Sequence, residues 1–106
     1  MTVTTLATYT CAPGERDEIL SIIEPARTAT IAEQGCQYFI VLAPMENRDQ
    51  IVLIEGWNST DDLAAHRRTA HFTETILGTV AHRVVNRTVN ICDQLSTSTV
   101  HAASPN

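Results

Sequence analysis

Two neighbouring segments, CQYFIVLA at 36–43 and QIVLIEGW at 50–57, are apolar at both their odd and their even positions. Side chains alternate between the two faces of a strand, so strands of this kind need cover on both sides. The polar turn PMENRD at 44–49 is short enough to make the two an antiparallel hairpin. Whatever else this chain does, it must build layers on both faces of that hairpin.

The rest of the sequence supplies one layer. VTTLATYT at 3–10 alternates, with Val3, Thr5, Ala7 and Tyr9 on one side, and reads as a first strand. Ala12-Pro13-Gly14 is a turn. From Glu15 the period becomes helical, with Ile19, Ile22, Ile23, Ala26 and Thr30 on one stripe and Glu15, Asp17 and Glu18 in the first turns. Pro25 is expected to kink this helix or mark a loose turn, and Gly35 to stop the segment. After the hairpin, Ser59 followed by Asp62 forms an acidic capping box. Leu63 and His66 share a face, the pattern loosens at 67–70, and Phe72, Ile76 and Val80 resume it. This predicts a short helix, a break, and a longer helix to about Arg83. NRTVNICDQL at 86–95 reads as a fourth strand with Val89, Ile91 and Asp93 on one side.

The order is β-α-β-β-α-β, the ferredoxin-like α+β unit with an antiparallel sheet, over residues 1–95. The polar stretch 96–106 is expected to be a disordered tail or an arm lying on a partner. Two helices cover one sheet face only. The apolar second face predicts a homodimer in which two sheets stack.

Charge restricts the partners. The chain carries 7 basic residues against 12 acidic ones, a net charge of −5. Every basic residue is an Arg, and they are scattered apart from Arg67-Arg68. That pattern argues against nucleic acid and against an anionic membrane surface, leaving an electrically neutral or poorly charged small molecule. The first residues lack a signal-peptide pattern, no apolar run is long enough to span a bilayer, and the 3 cysteines are widely spaced, so a cytoplasmic protein with reduced thiols is expected. Dinucleotide, phosphate-loop, serine-hydrolase and zinc-protease signatures do not occur, so no cofactor and no metal is expected.

Among candidate groups, Glu55 lies between Leu53 and Trp57 on one strand face. Desolvation there raises a carboxyl pKa toward that of a general base, unless an Arg holds it as a structural ion pair. Trp57 could floor an aromatic pocket or simply anchor the core. His66, facing the sheet beside Leu63, could shuttle a proton or hydrogen-bond within the core. His66 and His71 are five apart rather than four, and no suitable carboxylate or Cys adjoins them, which argues against a metal. Tyr38 could donate to a substrate oxygen; Cys36 reads as small apolar filler.

Three motifs in order, EQGCQY at 33–38, EGWNS at 55–59 and AHRRTAHF at 65–72, resemble the antibiotic biosynthesis monooxygenase family over about residues 3–95. The resemblance implies a dimeric α+β barrel with a pocket between sheet and helices. It implies oxidation of quinols or polyphenols by O2 without cofactor. Trp57 would wall the pocket, His66 would be the proton shuttle, Glu55 or Tyr38 would orient it, and Tyr38, His71 and Phe72 would contact substrate. Gln34 stands where the family pattern has Pro, and the first strand lacks the Asn of the haem-degrading branch. The expected function is therefore a cofactor-independent monooxygenase on a quinol-like compound. The alternatives are a non-catalytic ligand-binding or stress-response dimer, which a filled sheet–helix space would favour, and an isomerase or lyase on a small polar metabolite, which an Arg-lined pocket would favour.

Overall fold

The computed structural model describes residues 2–98. Strand β1 (Val3–Thr10) leads into helix α1 (Arg16–Ile31), then β2 (Cys36–Leu42) and β3 (Gln50–Trp57). Helix α2 (Thr60–His66) follows, then a π-helix (His71–Val80) continued by the short α3 (Ala81–Arg83), and β4 (Asn86–Asp93). The sheet is wholly antiparallel in the order β2-β3-β1-β4. This is the ferredoxin-like α+β fold. The expectation for 96–106 falls largely on residues 99–106, which lie outside the described residues.

The alternation read in β1 is realised: Val3, Thr5, Ala7 and Tyr9 are buried beneath the helices. They meet Trp57, Glu55, Leu53 and Ile51 of β3 across the ladder. Ile19, Ile23 and Ala26 of α1, with Ile76 and Val80 of the π-helix, close the main core over that face. A smaller cluster of Val3, Trp57 and Leu63 seals the end where α2 packs.

Three local expectations change. Helix α1 runs through Pro25, so of the kink or loose turn expected there the turn does not form. Proline leaves one carbonyl of the preceding turn unpaired, and here Ser21 and Pro25 are both exposed, so water can satisfy it. The second long helix is π-helical instead of α-helical, with Thr79 Oγ1 donating to the Glu74 carbonyl 3.2 Å away, five residues back. Its apolar positions Phe72, Ile76 and Val80 recur strictly every four residues, a spacing that a coil wider than 3.6 residues per turn keeps on one face. Finally, a bulge between Cys36 and Tyr38 shifts the β2 register. The extra residue separates Cys36 from Tyr38, Ile40 and Leu42, with which alternation had grouped it. Cys36 packs with the Trp57 cluster under the helices, whereas Tyr38 lies on the outer face.

That outer face carries Leu6, Val52, Ile54, Ile40 and Leu42 in adjoining ladder positions. In the single chain Ile40 and Leu42 are 43% and 45% exposed. Among the described residues no helix is long and apolar enough to cross a membrane.

Candidate functional site

The site begins where α1 ends. The chain turns through Gly35, whose φ of +87° suits glycine, and a side chain there would run into Asp62. This turn is tied to the end of β3 by the Asn58 amide donating to the Gly35 carbonyl at 2.8 Å. Its effect is to aim Glu33 across the start of the second helical layer. Ser59 caps α2 as the sequence suggested, accepting from the Asp62 amide at 3.1 Å. Helix α2 then ends with His66, which is 4% exposed. Thr69 makes the break: its hydroxyl donates to the His66 carbonyl at 2.7 Å and accepts from the Phe72 amide at 3.3 Å. One tight turn therefore brings His71 back beside His66.

Glu33 joins them. Its Oε2 lies 2.7 Å from His66 Nδ1 and 2.7 Å from His71 Nε2. On its other edge, His66 Nε2 is 3.5 Å from Glu55 Oε1. The result is a line of four ionisable groups, Glu55, His66, Glu33 and His71, crossing from the sheet to the π-helix. The His66 ring is held between aromatic neighbours, its centroid 4.7 Å from that of Trp57 and 5.0 Å from that of Phe72.

Burial sets the electrostatics. Desolvation, with the Glu33 charge second, pushes Glu55 up from its ordinary value to about 7, against the pull of Arg87 and Arg67. Desolvation lowers His66 below its ordinary value although the Glu33 hydrogen bond opposes this. A neutral His66 donating Nδ1–H to Glu33 keeps its Nε2 lone pair toward Glu55. Near neutral pH the line can therefore take up or release a proton at low cost. Glu33, His66 and His71 also hold their ligand atoms within 4.8 Å of one another, a set able to accept a divalent ion. At 2.7 Å the Glu33 contacts are those of hydrogen bonds.

Beside this line, between sheet and helices, lies a cleft bounded by Thr5, Tyr9, Phe39, Glu55, His66 and Phe72. Arg27, Arg67 and Arg87 border it too. The free cavity is about 30 Å³, enough for a water or two.

Set against the expectations, Glu55, His66 and Phe72 line the cleft and His71 joins through Glu33. Trp57 does not reach the cavity. It is fully buried behind His66 and anchors the smaller core, and its indole N–H finds no acceptor among the described residues. Tyr38 faces away, its hydroxyl 2.9 Å from Thr4 Oγ1 on the outer sheet face. It does not line this cleft. Glu33 is the residue that sequence reasoning passed over, although it heads the first of the three motifs. Arg87 was likewise missed; extending the Val89, Ile91, Asp93 alternation two residues back would have turned it inward.

Fold and site together define a small α+β domain with an acid–imidazole relay buried beside a cleft. The chain belongs to the antibiotic biosynthesis monooxygenase family, whose model matches residues 2–76. The fold is similar to that of the Rv0793 protein of Mycobacterium tuberculosis, with a TM-score of 0.85 and 21% identity over 93% of this chain and 100% of that one. A conserved protein of Methanosarcina mazei Go1 gives 0.81 and 22% over 87% and 91% of the two chains. A Nitrosomonas europaea protein provisionally called an antibiotic biosynthesis monooxygenase gives 0.83 and 23% over 92% and 94%. At these identities the likeness is one of fold. No curated protein matches the sequence.

Proposed function

We propose that the protein is a cofactor-independent monooxygenase acting on a quinol-like or polyphenolic compound. The observation that carries this reading is Glu55: a buried carboxyl poised at about 7, facing a neutral histidine whose other nitrogen rests on Glu33. Such a pair is suited to take a proton from a phenol at neutral pH. The electron-rich phenolate then reduces O2 in two one-electron steps, and a ring carbon forms a C–O bond as a hydroperoxide. Loss of water from that C–H hydroperoxide leaves a carbonyl, so one oxygen atom enters the product and the other leaves as water. The protein's part is proton removal, orientation and exclusion of bulk water.

The test is O2 uptake with a panel of naphthohydroquinones, measured against autoxidation without protein. At least a tenfold acceleration with a hydroxylated quinone as product is expected; no acceleration across the panel would overturn the reading. A second reading has its own observation. The cavity of about 30 Å³ is far below the roughly 300–1,000 Å³ usual for ligand sites. A bicyclic substrate must therefore displace Phe72 and the exposed Arg67. If neither moves, the cleft is core packing in a non-catalytic dimer, or serves a small polar metabolite whose isomerisation consumes no O2.

The working unit in this proposal is a homodimer in the cytoplasm, formed by stacking the outer sheet faces. Ile54→Asp places a charge at the centre of that face, beside Leu6 and Ile40. Sedimentation velocity should show the parent chain at twice the monomer mass and the variant at the monomer mass. Leu42→Glu, at an exposed position on the edge strand, repeats the test with little risk to the fold. A parent chain that sediments as a monomer at micromolar concentration would remove the dimer from the proposal.

A further inference from the structure

Three of the 7 arginines, Arg16, Arg27 and Arg83, are ion-paired to Asp17, to Glu24, and to Glu15 with Glu18. Arg67 and Arg87 border the cleft, and among the described residues neither has an acid within ion-pair distance. Arg87 is the better placed of the two. It faces Tyr9 across the β1–β4 ladder. Its Nε–H donates to the Tyr9 hydroxyl at 3.2 Å, and its guanidinium carbon lies 5.6 Å from the ring centroid. Tyr9 is 1% exposed and does not move easily. The guanidinium is thus fixed by its Nε edge and by the ring, and among the described residues its terminal NH2 groups have no hydrogen-bond partner. A half-buried fork held in this way is preorganised for a carboxylate.

The overall charge sharpens the point. A protein of net charge −5 repels anions, so unpaired cations gathered at one cleft create a local exception. Glu55, which feels the charge of both, is not ion-paired to either.

We infer that the cleft's ligand is an aromatic hydroxy acid whose carboxylate docks on Arg87, with Arg67 adding charge at the rim, while its phenol meets the Glu55–His66 end. The inference rests on the reading of this cleft as the substrate site, and it names the substrate class within that reading. One monoanion satisfies the Arg87 fork.

The probes are 1-hydroxy-2-naphthoate and its carboxamide, which share a ring and a phenol and differ in the charge. Calorimetric titration of the full chain should show the acid binding at least 30-fold more tightly than the amide, the scale of a charge-assisted pair. In Arg87→Gln the two should bind within about threefold of each other, with Arg87→Lys in between because it keeps the charge and loses the fork. Arg67→Gln, at an exposed position, should narrow the ratio by a smaller factor and serves as the variant that cannot unfold the core. Equal binding of acid and amide by the parent chain would overturn the inference, as would displacement of the acid by inorganic phosphate at similar concentration. Binding of neither probe would overturn it together with the substrate-site reading. Arg87-dependent binding of the acid with no O2 uptake on any quinol would leave this inference standing and remove the monooxygenase.

Discussion

Replacing Glu55 by Gln is expected to stabilise the protein at about pH 8 and to leave it nearly unchanged at about pH 4. Burial raises the folded-state pKa of Glu55 to about 7. An unfolded chain gives up this proton near its ordinary value of 4.5, whereas the folded chain keeps it until about 7. Across that interval the native state binds more protons than the unfolded state, so stability falls as pH rises. Above about 7 the full cost is present, on the order of 2 kcal/mol after allowing for water at the partly open cleft. Gln keeps the shape and removes the titration. For a domain of this size the expected gain in melting temperature is on the order of 10 °C at about pH 8.

His66 gives the experiment a second readout with the opposite sign. Its pKa is lowered in the fold, so the unfolded chain binds the extra proton. Stability from His66 is complete above its ordinary value of 6.5 and is lost as pH falls below it. In the parent chain the two slopes oppose each other just below pH 6.5, so the loss of stability with rising pH is shallower there. In Glu55→Gln only the His66 slope remains, and the melting temperature should climb with pH over that range. Calorimetric melts at several pH values check both features. A gain of equal size at every pH would mean that Glu55 is destabilising for reasons unrelated to its charge. The cost Glu55 imposes on the native state fits a carboxyl kept for chemistry more readily than one kept for structure.

The sequence made the frame legible because the frame depends on period. Strict alternation put Val3, Thr5, Ala7 and Tyr9 under the helices, and a capping box placed the start of α2 at Ser59. Both signals are local, and local rules suffice for them. The site depends on contacts that no period encodes. Glu33 reaches His66 across 33 residues, and only the fold of the turn at Gly35 makes them neighbours. His66 and His71 looked unsuited to a shared partner because five residues do not share an α-helical face; the break at Thr69 removes that premise by ending one helix and starting a π-helix between them. Cys36, parted from Tyr38, Ile40 and Leu42, shows the converse failure. One bulge residue altered the register of the strand, and counting by twos gave no warning of it. For Trp57 the sequence left open pocket wall or core anchor, and its full burial places it in the smaller core, backing the imidazole.

That backing matters for the largest catalytic effect the site predicts. His66→Asn should lower kcat for quinol oxidation by 10²–10⁴-fold, the range of a removed general base. Asn is the informative replacement because its carboxamide occupies the place of Nδ1 and can keep the hydrogen bond to Glu33, while nothing remains at the position of Nε2. The relay loses its acceptor and keeps its anchor, so the melting temperature should change far less than the rate. Glu33→Gln probes the other nitrogen. Glu33 supports the protonated form of His66 through its hydrogen bond and its charge; without that charge the imidazole becomes a weaker base. The acid limb of the rate profile should then move to lower pH while the plateau falls by roughly tenfold. A merely structural Glu33 would lower the plateau through loss of folded protein and leave the limb in place. Retention of a third or more of the parent rate by His66→Asn would transfer the base role to Glu55 alone, and the pH profile of Glu55→Gln would then be the decisive measurement.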